Sequence, residues 1–419
     1  PTIIANDDFY QADNYELDAI AWEQSKTTDQ EFNAKLDFLK DYMLGNYAAA
    51  FKFGGKISQR EKKNDTNEWE YDDLETTVND FQGSSSYTLA NFGPLINDAA
   101  MRNKISGLNS NEYVVLDAST VNDFESNEDI QAAYLMNTVN FDNLKLIAGL
   151  RYENTEFEAK GFTVDGDDVT ATEYNKDYDH WLPSVHARYR LADDAYLRAA
   201  WTNSVVRANF GQSAPGLYID DESAEFGNPM LDPLESSNFD IGVEKYLGEA
   251  SVISLITYKN GDSAKLYGME LAYSQKFNNG FLIGFNTTLS KSDATIDSMK
   301  DGESLSRDIR MPNQSNVVGN AMLGWENDRF GLRVSANYKS KYLLELGDID
   351  APQNDIYADE QTFIDLSTHV NLTKNLQLKF DAQNLGNETF YTYQSSKLQN
   401  AQYEEYAPSY KLGLTYSHF

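Results

Sequence analysis

Phe330-Gly331-Leu332-Arg333-Val334-Ser335-Ala336-Asn337-Tyr338-Lys339 decides the fold. Side chains alternate along an extended chain, so Phe330, Leu332, Val334, Ala336 and Tyr338 share one face. Gly331, Arg333, Ser335, Asn337 and Lys339 share the other. A tilted strand needs only about 9–11 residues to cross a bilayer. The same apolar/polar alternation recurs in Leu376–Gln383, Tyr267–Ser274 and Pro183–Leu191.

Alternation alone does not separate a half-exposed soluble sheet from a barrel with a wet lumen. Connection lengths do. Tight, turn-rich joints stand at Asp142-Asn143, Ala192-Asp193-Asp194, Leu247-Gly248-Glu249, Asn278-Asn279-Gly280, Asn327-Asp328 and Thr373-Lys374, at every second connection. Between them lie long acidic excursions near 61–127, 158–175, 205–234, 294–311 and 344–360. Soluble domains rarely hold so many loops beyond about 12–15 residues. Short turns at one end and long loops at the other characterise outer-membrane barrels.

The expectation is an all-β, transmembrane antiparallel β-barrel. Its strands are expected near 13–25, 30–42, 46–60, 128–140, 143–158, 176–192, 194–204, 235–247, 250–256, 264–277, 280–293, 312–327, 329–343, 361–373, 375–394 and 402–418, sixteen in all. The segment 250–256 is too short to span. It predicts that a loop and part of a strand are missing near 256, which a complete strand through Leu255 and Ile256 would refute.

Composition narrows the function. Acidic residues outnumber basic ones 66 to 34, for a net charge of −32. That excludes a nucleic-acid partner, whose phosphates need a basic face, and a peripheral protein held on anionic lipid. The chain has no cysteine, and its four histidines (180, 186, 369 and 418) have no metal-ligand spacing. The mean hydropathy of −0.57 and the lack of a long apolar run suit a barrel, in which only alternate residues face lipid. Tyr (27) and Phe (22) far exceed Pro (9), as interfacial aromatic girdles require. Without an initiator Met or a signal-like start, the chain is expected to be processed, truncated or both.

Several motifs then point to a family. They are Gly227-Asn228-Pro229-Met230-Leu231-Asp232-Pro233-Leu234-Glu235-Ser236-Ser237-Asn238-Phe239-Asp240, Trp201-Thr202-Asn203-Ser204-Val205-Val206-Arg207-Ala208-Asn209-Phe210, Lys265-Leu266-Tyr267-Gly268-Met269-Glu270-Leu271, Asn384-Leu385-Gly386-Asn387-Glu388 and Ile147-Ala148-Gly149-Leu150-Arg151-Tyr152-Glu153. In order, they resemble the C-terminal barrel of TonB-dependent outer-membrane receptors. Ala208 departs from the proline usual after that arginine. The terminal Phe419 resembles the aromatic signal of barrel assembly, although Tyr410, Leu412, Leu414 and Tyr416 occupy the other face.

The resemblance implies a 22-stranded barrel around a plug in a Gram-negative outer membrane. Residues 1–419 would be the C-terminal portion of that barrel, with the plug domain and first strands lying outside the chain, and the strand starting near residue 13 would run outward. It also implies coupling to TonB-ExbB-ExbD through the plug, contact with outer-membrane lipid and lipopolysaccharide, and import of an oligosaccharide or a siderophore or other metal complex.

Candidate ligand contacts are Arg207 and Asn209 at the mouth of the 205–234 loop, with loop aromatics Trp69, Tyr71, Tyr87, Tyr218 and Tyr357 as stacking surfaces. A buried Arg–carboxylate brace is the structural alternative for Arg207. Asp165, Asp167 and Asp168 could hold Ca²⁺, as could Asp220-Asp221-Glu222 and Asp348-Ile349-Asp350; solvated loop charge is the plainer reading. No other cofactor is expected. Trp325 is expected at a membrane interface. His186 and His369 face the lumen without a serine partner, and no nucleophile elbow or zinc-helix motif is present, so no enzyme is expected. The competing readings are a passive sixteen-stranded porin, closed by pairing 13–25 with 402–418, and a structural or adhesive barrel.

Overall fold

The alternation of residues 330–339 continues sideways through the whole sheet. The computed structural model describes residues 6–71, 76–83, 93–108, 115–165, 168–219, 224–248, 251–260, 264–300 and 303–417. Within an 18-stranded sheet, fifteen long strands lie side by side, each antiparallel to the next. They are β1 (Ile20–Leu44), β2 (Tyr47–Tyr71), β3 (Phe124–Asn140), β4 (Leu144–Asp165), β5 (Asp168–Ala192), β6 (Ala195–Val206), β7 (Leu234–Gly248), β8 (Ser251–Asn260), β9 (Ala264–Lys276), β10 (Phe281–Lys300), β11 (Val317–Glu326), β12 (Phe330–Lys339), β13 (Gln361–Asn371), β14 (Leu376–Gln383) and β15 (Ser409–Tyr416).

Register aligns the apolar faces into rows. Phe38 lies opposite Phe53, Phe53 opposite Leu135, Leu135 opposite Leu150 and Leu150 opposite Pro183. Further along, Tyr273, Phe285, Ala321, Ala336 and Ile364 form a second such row. Leu323 is 64% exposed and Leu412 72% exposed. Apolar surface on this scale, repeated on neighbouring strands, is costly in water and matched by lipid. The opposite face carries Asp37, Tyr134, Arg151, His186 and Glu270. There the Tyr134 hydroxyl donates to Asp37 at 2.6 Å, and Lys35 and Lys52 flank that carboxylate at 3.1 and 3.4 Å.

All six tight joints connect adjacent strands, and Gly45-Asn46, with Gly45 at φ 62°, makes a seventh between β1 and β2. Trp325 lies at this short-turn end, its indole N–H donating to the Asn279 carbonyl at 3.1 Å and its ring 6.0 Å from Phe330.

Several expectations change, among them the run 375–394, which breaks after Gln383 into β14 and a separate strand Thr389–Gln394. Residues 20–25 of the first expected strand and 30–42 of the second are one strand, because Lys26-Thr27-Thr28-Asp29, which looks like a turn, pairs residue by residue with Asp65 to Lys62, while Ala12–Asn14 is a short 3-10 helix. Consequently β1 runs toward the short-turn end, not outward. The expected gap near 256 is refuted. Leu255 and Ile256 sit inside the complete strand β8, in unbroken register with Val243-Gly242 and with Leu271-Glu270. Thr257 and Lys259, polar residues on its lipid-side face, hid its outer end.

The excursions 158–175, 294–311 and the start of 61–127 are extended hairpins. Strands β4 and β5 stay paired up to Asp165 and Asp168, and Glu303–Ile309 pairs back on β10. Finally, among the described residues β1 pairs only with β2, and β15 only with β14. The pairing of 13–25 with 402–418 that a porin needs is not made; Glu16 bridges Thr77 instead.

The 25 residues of β1 would extend over about 80 Å, against about 30 Å for a hydrocarbon core. The hairpins therefore stand well above the apolar belt. At the long-loop end a separate four-stranded sheet forms from Tyr342–Glu345, Ile356–Ala358, Thr389–Gln394 and Asn400–Glu405.

Adjacent residues of β12 test the facing. Ala336→Arg, in the middle of the apolar belt, is expected to cost about 2–4 kcal/mol in bilayer unfolding titrations, whereas lumen-facing Ser335→Arg, opposite Asp365, should cost less than about 1 kcal/mol. Equal costs would mean that the faces are assigned wrongly.

Candidate functional site

The chain leaves β6 at Val206 and turns inward over the lumenal face of β2–β5. Arg207 crosses β5 to reach β4. Its Nη2 donates to Glu153 Oε2 at 2.7 Å and to Thr155 Oγ1 at 2.9 Å, while its Nε lies 3.9 Å from Glu128 on β3. The guanidinium is 5.9 Å from the Tyr178 ring centroid. The Arg207 and Glu153 side chains are only 17% and 10% exposed, so the buried Arg–carboxylate brace is present. Arg207 Nε nevertheless is buried with no hydrogen-bond acceptor among the described residues.

Asn209 turns the chain. Its N–H donates to Gln212 Oε1 at 3.0 Å, its Oδ1 accepts from Gln212 N–H at 2.9 Å, and its carbonyl accepts from Ser213 Oγ at 3.0 Å. This places Phe210 inward, 7% exposed, 6.3 Å from the Phe157 ring and under the Arg60 guanidinium at 4.9 Å. Arg60 is itself held by Asp29 through Nε at 2.9 Å and Nη2 at 2.7 Å. The descending limb is tied by Lys176, which donates to the Met230 and Leu231 carbonyls and to Asp232 at 2.9, 3.0 and 2.7 Å. Gly227 is required between the two limbs: a Cβ there would lie 2.2 Å from the Ala214 carbonyl oxygen.

Under this loop lies a recess of about 480 Å³. Arg60, Lys62, Lys176 and Arg207 bring four cations to its wall and Phe157, Tyr178 and Phe210 three rings, with Glu128 as the one carboxylate. Three of these cations already face a carboxylate at 2.7 Å, Arg60 at Asp29, Arg207 at Glu153 and Lys176 at Asp232, so the recess gathers oriented ion pairs and not a net positive charge. Chemically, it offers donors for anionic oxygens beside flat apolar faces.

The other candidates scatter. Trp69 and Tyr71 lie on β2, opposite Trp22 and Ile20, and Tyr71 is 2% exposed, with no ring face open to a solute. Tyr218 belongs to the short strand Leu217–Ile219, which runs parallel to Thr163–Asp165 and is not part of the recess wall among the described residues. Tyr357 stacks on Tyr393 at 6.0 Å in the small outer sheet. There Arg307 grips the buried Asp355, Nη1 to Oδ1 at 3.0 Å, while the Gly347 N–H donates to the same oxygen. Asp165 and Asp168 are exposed across a hairpin tip, and Asp167, Tyr87 and Asp220-Asp221-Glu222 lie outside the described residues. No group of three metal-binding side chains converges among the described residues. Glu128, Glu153, Thr155 and Tyr178 were not expected at the site; their cue was the lumen-facing parity of their strands.

A family model described as TonB dependent receptor-like, beta-barrel, matches residues 2–385. Among solved structures, the siderophore receptor PiuA from Acinetobacter baumannii aligns with 16% identity and a TM-score of 0.65, covering 94% of this chain and 56% of that one. The ferric-catecholate import receptor Fiu from E. coli aligns with 12% identity and a TM-score of 0.66, covering 94% and 55%. The ferripyoverdine receptor of the outer membrane of Pseudomonas aeruginosa, bound to ferripyoverdine, aligns with 12% identity and a TM-score of 0.61, covering 94% and 49%. At such identities the likeness is one of fold, and the chain spans about half the length of these structures.

Two carboxylates beyond the aromatic pair Tyr152–Trp181, whose ring centroids are 4.8 Å apart, should titrate oppositely. Burial pushes Glu128 above the ordinary 4.5. Burial also opposes ionisation of Glu153, but bonds from Arg207 and Arg151 outweigh it and hold Glu153 below 4.5. The Glu128 contribution is therefore full below 4.5 and lost as pH rises through its raised value. The Glu153 contribution is full above 4.5 and lost as pH falls through its lowered one. Proteolytic protection of residues 208–233 is expected to peak at mildly acidic pH. Glu128→Gln should remove the loss on the alkaline side and Glu153→Gln should weaken the loop at pH 7. Arg207→Ala should lower the free energy of loop opening by roughly 3 kcal/mol. Unchanged protection in Arg207→Ala would show that the brace does not hold the loop.

Proposed function

Because the chain belongs to the TonB-dependent receptor β-barrel family, we propose that it is the barrel of an outer-membrane receptor that imports a scarce solute using energy relayed by the TonB-ExbB-ExbD system. The solute is an anionic metal chelate of the siderophore class. The observation that carries this choice is the recess beneath residues 207–233, where Arg60, Lys62, Lys176 and Arg207 stand beside Phe157, Tyr178 and Phe210. A chelate presents carboxylate, catecholate or hydroxamate oxygens together with flat apolar surface, and guanidinium groups over aromatic rings suit both. A neutral oligosaccharide would use the rings and leave unanswered Lys62, the one of the four cations without an ion pair among the described residues. The siderophore and ferric-catecholate receptors among the structural neighbours support the same choice.

Capture follows from the brace. Arg207 holds the loop over the recess through Glu153 and Thr155, its Nε buried 3.9 Å from Glu128, so a solute can enter beside Arg60 and Lys62 without breaking the Glu153 pair. Movement of the solute through the lumen then needs an energised plug, which the family supplies from the N-terminal side of the barrel. Family membership supports transport, not catalysis.

The test is uptake by cells carrying the full-length protein. Radioactive iron is offered as catecholate, hydroxamate and carboxylate chelates, with a labelled oligosaccharide alongside. At least one chelate should accumulate only when both the receptor and TonB are present, and Lys62→Ala should weaken its binding up to about tenfold, about 1.4 kcal/mol. Accumulation independent of TonB would sink energised import. Uptake of the oligosaccharide alone would sink the chelate and leave import standing.

A further inference from the structure

We propose that Lys145, Arg188 and Arg198, at the short-turn end of β4–β6, form a second anion station in the lumen, which an imported solute occupies after leaving the recess. Lys145 lies directly opposite Arg188, and Arg188 directly opposite Arg198. By strand parity all three share the lumenal face with Arg151 and His186. Like charges placed directly opposite one another on adjacent strands repel. Arg198 alone is answered, its Nε lying 2.8 Å from Glu244 Oε1. Arg188 instead lays its guanidinium on the Tyr196 ring, 3.7 Å from the centroid, and its Nε is buried with no hydrogen-bond acceptor among the described residues. Lys145 and Arg188 have no ion pair among the described residues. The row is short of counter-charge.

The three cations line one side of a lumenal hollow of about 830 Å³. Followed onward, the row changes sign: Arg198 lies opposite Gly242, Gly242 opposite Ile256, and Ile256 opposite Glu270. Asp240 stands one step above on β7, opposite Ala200. The charges of the hollow nearly cancel in sum, but they are separated across it. Lys145 and Glu270 are five strands apart, about 24 Å along the wall. Screening at physiological ionic strength acts within about 8 Å, so the acidic side does not neutralise the basic one.

The basic side is the one below the recess. Along β4, Lys145 lies eight residues from Glu153, about 26 Å. Between them the same wall carries Lys56, which faces Lys35 across β1–β2 and has no ion pair among the described residues, then Arg151 and Lys52. Asp37, the carboxylate at that depth, is shared by Lys35 and Lys52 at 3.1 and 3.4 Å. An anion descending this wall therefore passes from cation to cation, whereas on β7–β9 it meets Asp240 and Glu270. Two guanidinium groups and an ammonium in one row suit a solute bearing carboxylate or phenolate oxygens.

The station rests on the reading of the protein as an importer, and its first test needs no chelate. Cells carry the full-length protein, any cysteine outside this chain replaced by serine, with either Ile147→Cys, opposite His186 and two residues from Lys145, or Ile256→Cys, opposite Glu270. Energised cells are treated with an anionic sulfonatoethyl or a cationic trimethylammonioethyl methanethiosulfonate, each rate divided by its rate with a small free thiol. At Ile147→Cys the anionic reagent should react at least fivefold faster, and at Ile256→Cys the order should reverse. Lys145→Gln/Arg188→Gln should abolish the preference at Ile147→Cys. No modification of Ile147→Cys, or indifference to the charge of the reagent, would overturn the station; indifference is also what a plug carboxylate fixed on the row would give. The same double variant should lower the maximal rate of chelate uptake at least threefold at an unchanged half-saturating concentration. A raised half-saturating concentration at an unchanged rate would overturn the station by moving these cations to the capture step. Exclusion of every chelate, with the preference at Ile147→Cys intact, would count against the cargo and leave the station standing.

Discussion

Backbone hydrogen bonding in hydrocarbon constrains everything else in this molecule. No water reaches a peptide group inside a bilayer, so every N–H and C=O there must find its partner on a neighbouring strand. Fourteen successive antiparallel registers meet that demand between β1 and β15, whose outer edges have no partner strand among the described residues. Register then determines facing, because a one-residue slip would turn Phe285, Ala321 and Ala336 into the lumen and Asn286, Asn320 and Asn337 into lipid. The rows of side chains, the girdles and the inward-facing site are consequences of that pairing.

The same constraint explains which features were legible in the sequence. Within the belt one face must be apolar and the other polar, and the alternation of 330–339 or 267–274 is plain. Above the belt both faces are wet, so a strand there needs no alternation at all. This is why Lys26-Thr27-Thr28-Asp29 resembles a turn yet continues β1, and why 158–175 resembles a loop yet forms a paired hairpin. Strand β8 failed for a related reason, since its outer end places Thr257 and Lys259 where apolar residues were sought. Turns were readable because their chemistry is local. Asn279 and Gly280, the latter at φ 90°, announce a reversal whatever surrounds them.

The site was legible only in part. Arg207 and Asn209 could be chosen from their position just past a strand end, in a stretch with family-like neighbours. Their partners could not. Arg207 and Glu153 are 54 positions apart, and they meet because three tilted strands bring the loop back across the lumen. Tyr71 shows the converse: an aromatic residue in an apparent loop is buried at the end of a strand that was read as too short.

Net charge is also a poorer guide to cargo than local geometry. A total of −32 suggests repulsion of an anionic solute, and in dilute salt it would repel. At physiological ionic strength, charges more than about 8 Å away across solvent are largely screened. Within the recess the charges that count are Arg60, Lys62, Lys176 and Arg207 together with Glu128 and the carboxylates that pair with them, and distant acidic surfaces contribute little. Both arginines and one lysine are held in place by carboxylates, Arg60 by Asp29, Arg207 by Glu153 and Lys176 by Asp232, at 2.7 Å each. The carboxylates neutralise the cations on one side and leave the other side oriented toward the recess. An acidic barrel can thus carry a recess of oriented ion pairs: the exterior keeps like-charged surfaces apart, and the recess is built from a few groups that the register has already positioned.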